Sequence, residues 1–373
     1  MNKFSFTAPC LFGIESVLSG ELRRMGAENV NAQNGKVSFT GDENILARAN
    51  IGSRYAERIL LNVGEFHSES FTELFDNVAT LPWEEFIRKD DAFPVKGWCI
   101  DSALHSVPDC QSIIKKAIVS RLSKKYGIEW FEETGSIVAV RFSIHKNNAV
   151  ISIDTSGEGL HKRGYRRKSN AAPLKETLAA GMCDLARIFP DTVLYDPFCG
   201  SGTILIEAAL KAANIAPGLR RAFAAERYGF ISQNAWQQER ARAMDEVRHD
   251  ITFKAYGSDI DPDAVELTLA NAKKAGVEKY ISAELKPLSD FNCPEQRAIV
   301  ITNPPYGERL LDIAAAEELY REMGQLFKKE NGKKYFIISP HDDFEKLFGR
   351  PADKRRKLYN GMLKCQMFMY FSK

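Results

Sequence analysis

One run of eight residues, 196–203, constrains the fold of this chain more than any other feature. An apolar stretch at 192–195 leads into the run, Gly200 and Gly202 lie within it, and a helix-forming apolar stretch at 204–210 follows. Strand, glycine-containing turn and helix, in this order, open a doubly wound α/β sheet, in which ligands bind outside the carboxyl ends of the strands. Glycine also permits positive φ and a close approach of the backbone to a ligand. The run therefore predicts an α/β fold with a ligand-binding turn.

The residues of this turn narrow the choice of ligand. Leu205 stands where the dinucleotide pattern G-x-G-x-x-G has its third glycine, and the chain has no G-x-x-x-x-G-K-[ST] run for a nucleoside triphosphate. Asp196 opens the turn, and an acid there suits a ligand with a positively charged group, such as S-adenosylmethionine. The predicted cofactor contacts in this turn are Asp196, Pro197, Phe198, Cys199, Gly200, Ser201, Gly202 and Thr203.

Acids also follow the next two predicted strands. Asp259 comes after a strand predicted at 252–258, and its carboxylate could accept both ribose hydroxyls because it offers two acceptor oxygens. Ile260 is predicted to pack on the adenine face. Asp261 is predicted to cap the helix that begins at Pro262, since aspartate is a favoured N-cap and proline a favoured first helical residue. Asp290, after a strand at 281–285, is a candidate acceptor for the adenine amine, with a surface turn as the alternative.

A second turn, Asn303-Pro-Pro-Tyr306, follows a buried strand predicted at 297–302. Two consecutive prolines cannot continue a central strand, because neither donates to the ladder, so they hold a rigid, extended turn. One interpretation is an ordinary stiff loop. In the other, the Asn303 side-chain oxygen and the Pro304 carbonyl accept the two protons of an exocyclic amine, Pro305 helps to fix the backbone, and Tyr306 stacks on the base. These four are the predicted catalytic residues, and Asn303 is also a predicted cofactor contact.

The two turns together resemble a known family. Residues 196–203 and 303–310 look like the methyl-donor and catalytic motifs of class I amino-methyltransferases. The longer run Asn303-Pro-Pro-Tyr-Gly-Glu-Arg-Leu310, with Lys162-Arg-Gly-Tyr-Arg166 upstream, resembles the bacterial guanine-N2 methyltransferases of 23S ribosomal RNA that carry an N-terminal THUMP domain. The resemblance implies a Rossmann-like methyltransferase domain, with a mostly parallel sheet and an antiparallel terminal hairpin, preceded by ferredoxin-like and THUMP α+β domains.

The expected domain boundaries follow from the predicted elements and the resemblance. We predict a ferredoxin-like domain at 1–65, a THUMP domain at 66–158, a basic linker at 159–170 and the methyltransferase domain at 171–373. Asn34-Gly35, a strong hairpin signal, supports the strand–helix–strand–strand–helix–strand order of the first domain. An insert at 212–250, between the first helix and the second strand of the methyltransferase domain, could touch RNA or cap the sheet, and the sequence does not decide between these roles.

Two groups of cations are candidate RNA contacts. One lies on the outward face of a helix predicted at 111–126, where the residues alone favour a solvated face and the resemblance favours RNA. The other lies in the basic linker, whose cations could neutralise phosphates and whose tyrosine could stack on a base, with a merely soluble linker as the alternative. The predicted RNA-binding residues are Lys115, Lys116, Lys124, Lys162, Arg163, Tyr165, Arg166, Arg167 and Lys168.

Composition sets limits on the remaining properties. The 373 residues carry a formal net charge of only +2, so a positive field for RNA must be local. Seven cysteines without a C-x-x-C pair or a zinc spacing predict reduced thiols and no metal. No run approaches the ~20 apolar residues of a membrane span. We therefore predict a cytoplasmic protein with no membrane contact and no resident metal, and the oligomeric state is left open. The resemblance implies RNA as the partner.

The predicted reaction is S-adenosylmethionine-dependent methylation of the exocyclic N2 amine of a guanine in RNA, with 23S ribosomal RNA favoured. A tRNA guanine-N2 methyltransferase is one alternative. An adenine-N6 DNA methyltransferase is another, because Asn-Pro-Pro-Tyr fits any exocyclic amine. A catalytically silent RNA-binding protein is the third, and the intact glycine and Asn303 motifs argue against it.

Overall fold

The computed structural model describes residues 3–166, 174–307 and 313–371. The chain forms two compact units, and each contains one seven-stranded sheet. The first unit comprises the chain up to Pro9, Ser19–Leu160 and Arg220–Arg242. The second comprises Cys10–Leu18, His161–Leu219 and Ala243–Lys373.

The sheet of the first unit joins the strands of both predicted N-terminal domains. Its order is β2-β3-β1-β4-β7-β6-β5, so the last strand of the ferredoxin-like pattern pairs directly with the last strand of the THUMP pattern. That pairing is antiparallel, from Leu60 opposite Asp154 to His67 opposite Asn148. The strands are β1 (Phe4–Pro9), β2 (Glu28–Gln33), β3 (Lys36–Gly41), β4 (Leu60–His67), β5 (Val95–Ile100), β6 (Val140–His145) and β7 (Asn148–Asp154).

Local chemistry explains where the helices of this region begin and end. Asp42 and Ser70 each accept a hydrogen bond from the amide three residues on, which caps α2 and α3. Pro82 lies just after the C-cap residue Leu81 of α3, where proline cannot supply a helical amide. The helices are α1 (Glu15–Arg24), α2 (Glu43–Gly52), α3 (Phe71–Thr80) and α4 (Val107–Tyr126).

The sheet of the second unit has the predicted methyltransferase topology. Its order is β10-β9-β8-β11-β12-β14-β13, with parallel pairing from β10 to β12 and antiparallel pairing of β14 with both of its neighbours. The strands are β8 (Val193–Asp196), β9 (Lys254–Asp259), β10 (Ile281–Leu285), β11 (Ala298–Thr302), β12 (Lys333–Ser339), β13 (Lys354–Asn360) and β14 (Leu363–Phe371).

Every residue of β11 is buried, as expected for a central strand of a parallel sheet covered on both faces. Tyr320, Phe344 and Phe368 form part of the apolar core that packs against this strand. The sheet therefore gives its carboxyl-end turns a rigid base. The helices of this unit are α5 (Glu176–Leu185), α6 (Thr203–Ala212), α8 (Pro262–Ala275), α9 (Ile313–Leu326) and α10 (Phe344–Phe348), whereas α7 (Gln233–Asp245) lies mostly in the first unit.

The structure shows which unit contains most of the insert at 212–250, which its sequence did not predict. Its segment Arg220–Arg242 belongs to the first unit. The Glu239 carboxylate pairs with Arg48 at 2.7 Å, and the Tyr228 hydroxyl donates to the Asp154 carbonyl at 2.7 Å. Phe223 stacks on the buried Trp236 inside the segment. The insert thus completes the core of the N-terminal unit.

Candidate active site

The two predicted turns lie at the ends of neighbouring strands. We call residues 196–203 the glycine turn and residues 303–306 the proline turn. β8 and β11 are adjacent and parallel, with Tyr195 opposite Val300. The Thr302 hydroxyl donates to a carboxylate oxygen of Asp196 at 2.8 Å, so the residue before the proline turn is bonded to the first residue of the glycine turn. The structure therefore brings the two turns together at the carboxyl ends of two central strands of the sheet.

Backbone geometry in the glycine turn matches the prediction. Gly200 and Gly202 have φ of 54° and 75°, the left-handed region that favours glycine. A Cβ at Gly202 would lie 2.9 Å from the Thr268 side chain, whereas one at Gly200 would have no neighbour within 4 Å. Gly202 is thus required for packing against α8, and Gly200 faces open space that a ligand can enter.

Side chains from neighbouring elements hold the glycine turn in place. The Thr268 hydroxyl donates to the Gly200 carbonyl at 2.9 Å, and the Asn271 amide donates to the Ser201 carbonyl at 3.0 Å. Sequence analysis did not single out these two residues. In the sequence, these two polar residues stand three positions apart on the buried side of α8. An amphipathic helix normally has apolar residues on that side, so their polarity is the signal for a further role.

Asp259 lies beside the glycine turn, as predicted for a ribose acceptor. One oxygen of its carboxylate accepts the Gly200 amide at 2.9 Å and the other accepts the Asp261 amide at 3.1 Å. Each carboxylate oxygen can accept a further hydrogen bond, so two ligand hydroxyls can still be bound. Ile260 is 73% exposed next to this carboxylate. Paired acceptors, an exposed apolar side chain and the open space at Gly200 together fit a nucleoside.

The remaining predicted cofactor residues have different surroundings. Pro197, Cys199, Ser201 and Thr203 are buried in the protein, Phe198 is half-buried, and Asp290 is exposed on a short 3-10 turn after β10. Asp261 caps α8 by accepting the Asp263 amide at 2.9 Å, which confirms its predicted structural role. The assignment of Asp290 to an adenine amine stays a prediction.

Asp196 is almost fully buried, with 1% of its surface exposed. Burial raises the pKa of this carboxyl to about 7, although the hydrogen bonds from Thr302 and from the Phe198 amide oppose the shift. A buried carboxylate without a cationic partner is costly. The Asp196 site therefore favours a ligand that brings a positive charge.

Tyrosine hydroxyls form hydrogen bonds with the proline turn. The Tyr306 hydroxyl donates to the Asn303 side-chain oxygen within the turn, and the Tyr320 hydroxyl donates to the Pro305 carbonyl at 3.1 Å. Burial raises the pKa of Tyr306 well above its usual range. An amide oxygen has two lone pairs, so Asn303 can still accept one amine proton. The residues following Gly307, including Glu308, Arg309 and Leu310 of the quoted motif, lie outside the described residues.

The structure corrects the predicted role of the basic linker. Arg163 and Tyr165 are 9% and 4% exposed, and both donate to one oxygen of Glu207 on α6, at 3.4 Å and 3.0 Å. Burial leaves neither side chain accessible to RNA, because both are bonded to the buried Glu207 carboxylate. Lys162 is exposed and stays a predicted RNA contact, while Arg167 and Lys168 lie outside the described residues.

Arg166 also contacts protein groups instead of solvent. Its guanidinium donates to the Thr203 hydroxyl at 2.8 Å and to the Leu174 carbonyl at 2.9 Å, and it lies 3.7 Å from the Glu176 carboxylate. Thr203 is the last residue of the glycine turn. Arg166 therefore braces the start of α6, a role that the run of cations in the sequence concealed.

The lysines of α4 divide into two kinds. Lys116 and Lys124 are exposed and stay predicted RNA contacts. Lys115 is half-buried, lies over the Phe93 ring at 3.4 Å and pairs with Glu133. The structure corrects its predicted outward orientation, because its ammonium has partners in Phe93 and Glu133 within the unit.

Two searches of the described residues gave negative results. No cluster of three or more histidine, cysteine, aspartate or glutamate side chains there could hold a metal ion. Within the same residues, no helix has both the length and the apolar character to span a bilayer.

Comparison with known protein families identifies three regions of the chain. A model described as the RMKL-like methyltransferase domain matches residues 163–368. A model described as the RlmL ferredoxin-like domain matches residues 5–60, and the THUMP domain model matches residues 68–154. The predicted fold class is thereby confirmed.

Relatives and solved structures agree with these matches. A Bacillus subtilis protein named "Putative RNA methyltransferase YpsC" is 41% identical over 375 residues, which covers 100% of this chain and 97% of that protein. The ribosomal RNA large subunit methyltransferase K/L of Cellvibrio japonicus is 34% identical over 98% of this chain, which spans only 51% of that relative. A structure titled a possible methylase from Clostridium difficile 630 is 40% identical, with a TM-score of 0.96 over 100% of this chain and 99% of that one.

A second solved structure bears on the ligand. SMU.472, which was solved in complex with SAH, is 39% identical, with a TM-score of 0.95 over 100% of this chain and 99% of that one. The extent of these matches, together with the joined glycine and proline turns, shows that the chain belongs to the RMKL-like methyltransferase family.

Proposed function

We propose that this protein transfers a methyl group from S-adenosylmethionine to the exocyclic N2 amine of a guanine in large-subunit ribosomal RNA. One observation carries the proposal: the hydrogen bond from Thr302 to Asp196, which fixes the proline turn beside the glycine turn. Methyl transfer needs the nucleophile and the donor side by side, and orientation can supply about 7–11 kcal/mol of the barrier.

The donor is S-adenosylmethionine, whose sulfonium supplies an electrophilic methyl group. The Asp259 carboxylate binds its ribose hydroxyls, and Ile260 covers the adenine. The negative charge of Asp196, in its buried site, complements the cationic end of the donor. The SAH held by SMU.472 belongs to that protein, and its similarity to this chain supports the assignment.

The proline turn positions the target amine. The nitrogen lone pair of an aromatic amine is delocalised into the ring, so the amine is a poor nucleophile. Acceptors at Asn303 Oδ1 and the Pro304 carbonyl hold its two N–H groups and direct the lone pair away from them. The prolines keep these acceptors in place by restricting φ. After transfer, the surplus proton leaves the nitrogen for water, so the residues named here need to supply only orientation.

The RNA class rests on the relatives. Those named ribosomal RNA large subunit methyltransferase K/L match nearly the whole of this chain, while this chain spans about half of their length. A THUMP domain model matches the N-terminal region. A base within a duplex cannot reach the proline turn, so the target guanine must be unpaired or flipped out.

One observation favours a second candidate. A structure titled a predicted N6-adenine-specific DNA methylase from Listeria monocytogenes is 40% identical, with a TM-score of 0.94. Asn-Pro-Pro-Tyr suits an adenine N6 amine as well as a guanine N2 amine. The THUMP match favours RNA over DNA.

Nucleoside mass mapping decides between these substrates. We expect 23S ribosomal RNA from a strain lacking this protein to lose N2-methylguanosine at one position, and purified protein with labelled donor to restore it. Loss of a methylated guanosine from tRNA would move the substrate to tRNA. Loss of N6-methyladenosine from DNA, with ribosomal RNA unchanged, would replace the proposal with the second candidate.

A further inference from the structure

The second unit contains a cavity of about 500 Å³ away from the two turns. It is lined by the end of α5 and by strands β12, β13 and β14. Lys334 lies at the amino end of β12, and β12 runs parallel to β11. Because the proline turn follows the carboxyl end of β11, the cavity lies at the opposite end of the sheet.

The charge of this cavity is of one sign. Five of its ten lining residues are cations and none is an acid, whereas the whole chain has nearly equal numbers, 51 basic and 49 acidic residues. We call this set the cationic cavity, and its charged members are Arg187, Lys334, Lys354, Arg355 and Arg356. A concave surface with one sign of charge concentrates ions of the opposite sign.

Strand register explains why Lys334 and Lys354 line the same side of the cavity. Lys334 pairs opposite Phe371, and Met369 pairs with both Phe336 and Lys354. Alternate residues of a strand point to the same face. Lys334 and Lys354 therefore lie on the same sheet face as the apolar Phe336, Met369 and Phe371, which also line the cavity. An apolar floor excludes water and so strengthens the attraction between these cations and an anion.

The cations differ in how fully the protein already satisfies them. Arg355 pairs with Glu345, and Arg356 donates to the Gly13 carbonyl at 2.8 Å and to the Ser16 hydroxyl at 3.0 Å. Arg187, Lys334 and Lys354 are exposed, and within the described part of the chain their side chains form no hydrogen bond or ion pair. Three cations thus remain available to a ligand.

We propose that the cationic cavity binds phosphate groups of the RNA backbone and anchors the substrate away from the reacting base. The proposal rests on the proposed function, since it names the surface that holds the same RNA. RNA fits better than a small anion because the available cations belong to three separate elements, α5's end, β12 and β13, and a polyanion can reach all of them. The buried linker residues Arg163 and Tyr165 cannot serve in this way.

The test compares two double variants of the full chain. Lys334→Gln with Lys354→Gln removes two exposed cavity cations, and Lys273→Gln with Lys274→Gln removes two exposed lysines of α8 as the matched control. Affinity for a 23S ribosomal RNA fragment is measured over a series of salt concentrations. Each lost phosphate contact should reduce the slope of log affinity against log salt by about 0.7–0.9. We expect a reduction of about 1.5 in the cavity variant and none in the control.

Two further measurements identify the source of the bound phosphate groups and test whether the variants are folded. Inorganic phosphate should displace RNA no better than chloride at equal ionic strength. Donor affinity should stay at the wild-type value in both variants, because neither pair touches the glycine turn. An unchanged slope in the cavity variant, an equal loss in the control, or tight binding of inorganic phosphate with RNA affinity unaffected would each overturn the proposal.

Failure of the inference can be separated from failure of the proposed function. If wild-type protein methylates ribosomal RNA and the cavity variant keeps its salt slope, the cavity is excluded and the function stands. If the variant loses slope but wild-type protein methylates no ribosomal RNA, the cavity stands as an RNA site and the proposed function is wrong.

Discussion

The glycine turn and the proline turn end neighbouring strands, yet the protein holds them in different ways. Side chains from several elements bond to the glycine turn: Asp259 accepts the Gly200 amide, Thr268 and Asn271 donate to its carbonyls, Arg166 donates to Thr203, and Thr302 donates to Asp196. In the proline turn, Tyr306 donates to Asn303 and Tyr320 donates to the Pro305 carbonyl, and the Tyr306 hydroxyl also has hydrogen-bond partners in Asn360 and Cys365 of the terminal hairpin.

This difference reflects what each turn must do. A donor site that binds the same small molecule in every cycle gains from a fully bonded, preorganised backbone. An amine clamp must leave acceptors unused at Asn303 and Pro304, and its prolines restrict the backbone without occupying those acceptors. We therefore expect substitutions in the glycine turn to lower donor affinity and substitutions in the proline turn to lower turnover.

The largest expected effect is at Asn303. We expect Asn303→Ala to reduce turnover by about 100-fold or more, equivalent to about 3 kcal/mol of barrier, because one of the two amine acceptors is lost. Donor affinity should stay unchanged. Single-turnover methylation of RNA at saturating donor, together with donor titration calorimetry, measures both quantities.

Two variants sharpen that result. Tyr306→Phe removes the hydroxyl that donates to Asn303 but keeps the ring, so turnover should change little. Asp259→Ala should lower donor affinity and leave turnover at saturating donor largely intact. If Asn303→Ala instead lowers donor affinity and leaves turnover near normal, the division between the two turns is wrong.

A smaller effect is expected at Arg166. Arg166→Ala removes hydrogen bonds to Thr203 and to the Leu174 carbonyl, and we expect donor affinity to fall about tenfold, the equivalent of one such bond with a charged donor. Arg166→Lys should recover part of the loss. Titration calorimetry measures the affinity, with the exposed Lys162→Gln as the control that leaves it unchanged.

The salt dependence of RNA binding is the measurement that could contradict the role of Arg166 in holding the start of α6. The Arg166 guanidinium is bonded to protein groups beside α6, so the salt dependence of RNA binding should be the same in Arg166→Ala and in wild-type protein. A flatter salt slope with normal donor affinity would return Arg166 to the RNA contacts predicted from the sequence.

The backbone of the two active-site turns was predictable from the sequence, because short local residue patterns determine it. The spacing of Gly200 and Gly202, the double proline after Asn303 and the Asp261-Pro262 helix start each carry their own backbone geometry. The partners of these turns were not predictable, because Thr268, Asn271 and Thr302 reach the site only through strand and helix packing.

Charge was the least reliable guide in the sequence. Arg163 and Arg166 stand in a run of cations that is typical of a nucleic-acid contact, but burial of Tyr165 draws the segment onto α6. The cavity cations Lys334 and Lys354 are far apart in the chain and gave no signal. Strand register alone brings them to one face.

The smallest expected effect concerns the buried charge that opens the glycine turn. The pKa of Asp196 is raised to about 7 in the folded protein, while an unfolded aspartate has a pKa of about 3.9. Between these values the folded state retains a proton that the unfolded state has lost, so this residue lowers the free energy of unfolding as the pH rises. Asp196→Asn removes that contribution. Without donor, we expect the unfolding free energy of wild-type protein, relative to the variant, to fall by about 1 kcal/mol per pH unit between pH 5 and 6. Parallel denaturant titrations measure this difference, and identical pH profiles would show that the glycine turn does not bury a titrating charge.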